Sequence, residues 1–312
     1  MKKTLLTLSI ITILFTACDK VDNAYPVGVS SELDWSLYPG GDSTDYTNNS
    51  LWPSFSTNPN SNRNILIEDF TGHKCTFCPQ AATEAENIEH ANPGRVFVAT
   101  IHTSPDGIGP FQSTEAPDFT HDFTCAEGLI IGNHFGVEWP SSNFVGNPKG
   151  AISRINDGSG QVTSSPGNWN SNTTTALTAN VLKVNLQVSS NYFPSTQGYF
   201  LHAEVEVLDA ALTNELDIVV YVVEDSIIKP QKMPDNSINV NYVHRNVMVD
   251  CIDGRAFGKE LDEDHKESNG KYYFNYSYKL PILYNPDNMH VLIYVRDAVT
   301  EEIYHVIEHH FQ

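Results

Sequence analysis

Two cysteines, Cys75 and Cys78, lie two residues apart in "DFTGHKCTFCPQAATEAENIEHA", which runs from Asp69 to Ala91. That spacing suits thiol–disulfide exchange. One thiolate attacks, and the second, a turn further on, closes a small ring and releases the mixed disulfide. The attacking sulfur must ionise near neutral pH, and a helix N-terminus helps through its unpaired N–H groups and dipole. The order of residues predicts Cys75 at the junction of a strand and a helix, with Lys74 as a positive neighbour and Cys78 as the resolving thiol. Pro79 fits a first helical turn, where its missing N–H costs nothing. Asp69, six residues before Cys75, is expected at the strand end, able to accept or relay the proton of Cys78. Glu68, on the other strand face, is the alternative. Ordinary strand-end solvation competes with both.

The elements that must position these groups are readable. "NILIEDF" (64–70) is a strand by length and composition. After Pro79, Ala81, Ala82, Ala85 and Ile88 give one apolar helical face, which "NPG" at 92–94 stops. "RVFVATIH" (95–102) is a second strand, and a crossover of this length suits a parallel pair. Residues 118–135 read as helical and "GAISRI" (150–155) as a third strand. "NDGSGQVTSSPGNWN" has the composition of a domain boundary. From about Ser171, six apolar or alternating runs follow one another with no long helix between them, the pattern of an antiparallel β-sandwich.

The 312 residues allow about two domains. The formal charge of −20 argues against a nucleic-acid partner, which needs clustered Lys and Arg. The start, "MKKTLLTLSIITILFTAC", has two lysines, an apolar run from Leu5 to Phe15, small residues and then Cys18. This is an export signal, too short for an ordinary spanning helix. Thr16 and Ala17 before Cys18 resemble a bacterial lipobox, which implies cleavage at 17 and acylation of Cys18; Phe15 stands where leucine is commoner. Several acyl chains on one terminus give a stable membrane anchor. Residues 18–62, rich in Ser, Asn, Asp and Gly, read as a mostly extended tether. Trp35, Tyr38, Trp52 and Phe55 within it are candidates to dock on the first domain. An exported chain meets an oxidising compartment, where Cys75, Cys78, Cys125 and Cys251 allow three pairings.

Strand, CxxC, helix and strand, with a later proline leading into another strand, resembles the thioredoxin-like fold. "ILIEDFTGHKCTFCP", with "VYVVEDSI", "NYVHRNVMVD" and "GRAFGKEL" further on, resembles the outer membrane protein 28-related lipoproteins of Gram-negative bacteria. The resemblance implies an α/β thioredoxin-like domain (63–160) followed by an all-β, immunoglobulin-like sandwich (171–312), held by lipid at the outer membrane, on its periplasmic side or at the cell surface. It also implies a cis-proline against the CxxC turn, exposing backbone groups that pair with an extended substrate peptide. Pro148 in "NPKGAISR" is the better match and Pro140 in "EWPSSN" the runner-up. His73-Lys74 replaces the usual Trp, and Thr76-Phe77 the usual Gly-Pro, so the redox direction does not carry over; Phe77 is a candidate binding contact.

No cofactor is expected. There is no Walker loop or serine-nucleophile elbow, and "ELDEDHKESNGK" lacks the EF-hand ligand order. The single CxxC lacks a partner motif for zinc, and His305 and His309 in "HVIEHH" are read as exposed strand residues before metal ligands. Three classes of function remain: an envelope thiol–disulfide enzyme acting on thiol-bearing envelope proteins, a binding or adhesion lipoprotein whose CxxC is a locked staple, and a structural part of an outer-membrane assembly. Whether the chain is an enzyme stays open at this level, because fold alone does not fix function.

Overall fold

The computed structural model describes residues 33–311; the expected signal segment and Cys18 lie outside the described residues. The expected tether is not extended over its described part. From Leu33 the chain is packed: a 3-10 turn (Trp35–Leu37) leads to helix α1 (Ser43–Asn48), which Asp42 caps by accepting from the Asp45 N–H. Leu33, Leu37, Tyr38 and Tyr46 are buried against Phe200, and Phe193 packs alongside. The Tyr46 hydroxyl lies 2.9 Å from His202 Nε2. Aromatic area outweighs the polar composition here, and the rings dock on the second half of the chain, not the first.

Strand β1 (Ile65–Thr71) is buried along its length and pairs in parallel with β2 (Val96–His102), in register from Ile65–Val96 to Thr71–His102. Helix α2 (Cys78–Ala91) makes the crossover, laying Ala81, Ala85 and Ile88 on Ile65 and Ile67. Helix α3 is shorter than expected, Ala126–Asn133, and continues as a π-turn, His134–Glu138. Residues 118–124 stay irregular because the Asp122 carboxylate accepts from both the backbone N–H and the hydroxyl of Thr124, a local bond that competes with helix. Strand β3 (Lys149–Ile152) pairs antiparallel with β1, and β4 (Thr163–Ser164) with β3.

The sequence reading missed helix α4 (Trp169–Ala179). Its buried stripe, Trp169, Thr173 and Ala176, has helical spacing inside a polar run. Trp169 fills the space over β3, and a side chain at Gly150 would meet its ring at 2.5 Å.

Strands β5 (Val184–Phe193), β6 (Gly198–Val207) and β7 (Leu216–Glu224) follow, then β8 (Ile227–Lys232) and β9 (Ile238–His244). Next come β10 (Val247–Cys251), β11 (Lys259–Glu260), β12 (Tyr272–Lys279), β13 (Met289–Asp297) and β14 (Ile303–His310). They divide among three sheets. β12-β6-β5 is one. Its inner face packs on β7 and β13 through Leu201, Val205, Phe274, Val220 and Ile293, the sandwich packing the alternation predicts. The opposing sheet, however, is not confined to the second half. It runs β14-β13-β7-β10-β2-β1-β3-β4, with β11 beside β7. The junction is parallel pairing of β10 with β2, where Thr100 N–H donates to the Asn246 carbonyl at 2.7 Å. One continuous sheet thus carries both halves. β8 and β9 form a separate two-stranded hairpin.

Buried charge reinforces the junction. Ser153 and Arg154 take left-handed backbone conformations (φ 46° and 50°), turning the chain after β3. Arg154 is then fully enclosed, reaching Glu68 on β1, Tyr221 on β7, Tyr294 on β13 and Glu301. Among the described residues no helix is long and apolar enough to cross a membrane.

Candidate functional site

Cys75 and Cys78 are joined in a disulfide, with Cα atoms 5.4 Å apart. Helix α2 begins at Cys78, with Phe77 as its N-cap residue, so Cys75 precedes the helix instead of opening it. Its N–H donates to Gly72, and the turn it belongs to is held from one side by the Lys74 N–H on the Phe111 carbonyl. The Lys74 ammonium is not a free positive neighbour: it bonds the Ser113 hydroxyl at 3.0 Å and Glu115 at 3.1 Å.

Asp69 and Glu68 have parted company as the strand alternation requires. Glu68 faces the Arg154 network and is engaged by it at 2.7 Å. Asp69 falls on the face of β1 that bears Ile65 and Ile67, the face α2 covers. It is fully buried, and neither carboxylate oxygen has a hydrogen-bond partner. Burial pushes its pKa up to about 8.

The Asn147–Pro148 peptide is cis, and Pro148 lines an open groove with Phe77, Gln80, Ala81, Glu84 and Pro166. Phe77 is 61% exposed on its rim. Pro140 starts a short 3-10 turn, Pro140–Ser142, away from this groove. The other described cis bond is Ala116–Pro117.

The sulfurs themselves are covered. Cys75 and Cys78 are each only 2% exposed. The cover is the β8–β9 hairpin: the Gln231 side-chain amide donates to the Cys75 carbonyl at 3.1 Å, and the Lys232 N–H to the His73 carbonyl at 2.9 Å. Cys78, Pro79, Ala82, Gln231, Tyr242 and His244 line a small cleft of about 20 Å³, room for about one water. Sequence reading did not find this element. Its signal was "IIKPQK" and "INVNYVH" either side of the turn residues "PDNS", weakened by Pro230 within the first run.

Beside the hairpin base lies a cluster of rings from four parts of the chain. His73 stacks on Phe119, and His102 on Phe123 with centroids 4.5 Å apart. His244 packs against Phe123 at 4.3 Å and His121 meets its edge. Both ring nitrogens of His102 and Nε2 of His244 have no hydrogen-bond partner. Burial lowers the pKa of all four histidines, His244 to about 4 and His102 well below the usual range.

Cys125 and Cys251 are not bonded. Cys125 caps α3 by accepting from the Gly128 N–H, and burial pushes its thiol up to about 12; burial raises Cys251 as well. Both are poor nucleophiles in these surroundings. His305 accepts from the Asn64 N–H and His309 pairs with the Ser190 hydroxyl. Neither belongs to a metal-holding group, and the described residues contain none.

The fold and site define a mixed α/β protein in which the Cys75–Cys78 disulfide lies under a β-hairpin. A family model, outer membrane protein Omp28, matches residues 140–311, more than half of the chain. The chain belongs to that family. The match takes in Pro148, Arg154 and the hairpin and begins after Cys75, Cys78 and Asp69. Among solved structures, HBP35 of Porphyromonas gingivalis is similar with TM-score 0.60 and 15% identity, covering 81% of this chain and 77% of that one. At that identity the likeness concerns the fold alone. A protein from Agrobacterium tumefaciens has TM-score 0.48 and 12% identity over 80% of this chain and 94% of its own. A domain of the outer membrane lipoprotein Omp28 from Porphyromonas gingivalis has TM-score 0.30 and 17% identity over 42% of this chain and 90% of its own. No curated protein matches the chain.

Proposed function

We propose that the protein is a lipid-anchored outer-membrane protein, held through Cys18, in which β1, α2, β2 and β3 act as a thioredoxin-like unit performing thiol–disulfide exchange at Cys75 and Cys78. A substrate thiolate attacks the Cys75 sulfur, forming a mixed disulfide and breaking the Cys75–Cys78 bond. Cys78 leaves as a thiolate and takes a proton from Asp69, which a pKa of about 8 keeps protonated at neutral pH. A second substrate thiolate then attacks its partner sulfur, releasing oxidised substrate and the Cys75 thiolate. Run backwards, the same steps reduce a substrate disulfide. The groove of Pro148 and Phe77 would hold an extended peptide of a thiol-bearing envelope protein.

The observation that carries this reading is Asp69. A buried carboxyl without a partner costs stability, and strongly perturbed carboxyls cluster at functional sites. A second reading makes the protein a binding lipoprotein with Cys75–Cys78 as a staple. The near-complete burial of both sulfurs favours it. Against it, closing so short a ring contributes only about 2 kcal/mol in the chain-entropy account, and a staple gives no reason to keep Asp69 ionisable. The deciding experiment measures the reduction potential of the pair together with Cys75 alkylation against pH in the reduced protein. Exchange predicts a potential above about −300 mV and a depressed Cys75 pKa. A lower potential with an ordinary thiol pKa leaves the staple.

A further inference from the structure

We propose that the β8–β9 hairpin is an autoinhibitory cap: in the resting protein it masks the Cys75–Cys78 disulfide, and it swings away as a unit to admit a partner. This rests on the exchange reading above and concerns the regulation of the same site.

The cap belongs to neither of the larger sheets, so it can move without breaking them. Beyond the packing of His244 at its end against Phe123 and His102, its hydrogen bonds to the body are few. Gln231, 156 positions from Cys75, holds the Cys75 carbonyl, and Lys232 holds His73. At the base, Asp225 accepts from Arg245 at 3.2 Å and from the Asn246 N–H at 3.3 Å, while Arg245 lies 3.7 Å from Glu86 on α2. The residues flanking the hairpin, Ser226 and Asn246, both have left-handed backbones, φ 62° and 51°, the only such residues between β7 and β10 apart from Asn236 at the hairpin's own turn. Large φ/ψ changes in hinged elements are absorbed at a few such terminal positions.

Closure is weakly held for three reasons. An isolated two-stranded hairpin is marginal in water. Ile228 and Val240, 60% and 56% exposed, contribute little apolar burial. Both ring nitrogens of His102 and Nε2 of His244 are buried without partners when the cap is shut, a desolvation cost relieved on opening. Elements of this kind open locally at less than the global unfolding free energy.

The test uses the full chain and dithiothreitol as probe. In one variant residues 227–244, whose ends pair as Ile227 and His244, are replaced by a short Gly-Ser link. In another, Gln231→Ala is combined with Lys232→Pro, removing both donors to the CxxC turn. Each should speed reduction of the disulfide at least tenfold over the parent while its reduction potential stays within twofold in equilibrium constant. Hydrogen exchange in the parent should show the Lys232 amide opening far more readily than amides of β7. Reduction rates equal to the parent's in both variants, or a Lys232 amide as protected as β7, overturn the cap. A disulfide that dithiothreitol fails to reduce even with the hairpin replaced overturns the exchange reading instead.

Discussion

Arg154 and Glu68 meet in a two-pronged contact, Nε to Oε2 and Nη2 to Oε1 both at 2.7 Å, with neither side chain exposed to solvent. The pair sits where the sheet passes between the two halves, and Arg154 also binds Glu301 at 3.0 Å. Removing one partner of a buried ion pair strands the other. Arg154→Ala should therefore cost about 3–5 kcal/mol, read from urea midpoints. Arg154→Met with Glu68→Leu should recover most of that. An Arg154→Ala variant as stable as the parent would show that the pair does not hold the junction.

Asp69→Asn should raise stability and lower exchange. The folded-state pKa of Asp69 is raised from its ordinary value to about 8 by burial. Its protonated form is therefore favoured by folding, and the stability it allows is lost as pH rises from about 4 towards 8. The gap between variant and parent should widen across that range, by an amount on the order of 4 kcal/mol between pH 4 and pH 7. Thermal melts across pH give the first quantity, and insulin-type disulfide exchange assays the second, with the variant at least tenfold slower.

His244→Gln should blunt acid sensitivity. Burial, with help from neighbouring histidines, lowers His244 to about 4. The unfolded chain binds its proton near pH 6.5 and the folded chain does not, so stability falls as pH drops from about 6.5 to 4. The parent should lose about 2–3 kcal/mol more than the variant over that window. Parallel melting curves for the two proteins would contradict the buried, neutral state of this ring.

Phe77→Ala should leave stability within about 0.5 kcal/mol, since the ring is mostly exposed. It should raise KM for an extended thiol peptide severalfold with kcat little changed, because the ring lines the groove and not the disulfide cover. An unchanged KM would remove this groove from substrate binding.

Cys75→Ser with Cys78→Ser should lower stability by only about 2 kcal/mol, the chain-entropy value for so short a ring, and abolish exchange. Loss of the fold in this double variant would favour the staple.

Much of this architecture is legible in the sequence. The runs at 64–70 and 95–102 became β1 and β2, the alanine face became α2, and six later runs became strands of the second half. Their residues repeat with the period of the element they form, so length, type and buried face are local properties. Asp69 was nameable from its place six residues before Cys75, although alternation had to separate it from Glu68, and Pro148 only from the resemblance and its lead into a strand.

Only the folded chain settled which strands share a sheet. The β10–β2 pairing, the reach of Arg154 to Glu301 and the hairpin over Cys75 join residues about 150 positions apart. Periodicity carries no information about partners at that range. Hydrogen-bond register, the fit of buried charge and the exclusion of water from sulfur are properties of surfaces brought together, and they arise with the tertiary structure.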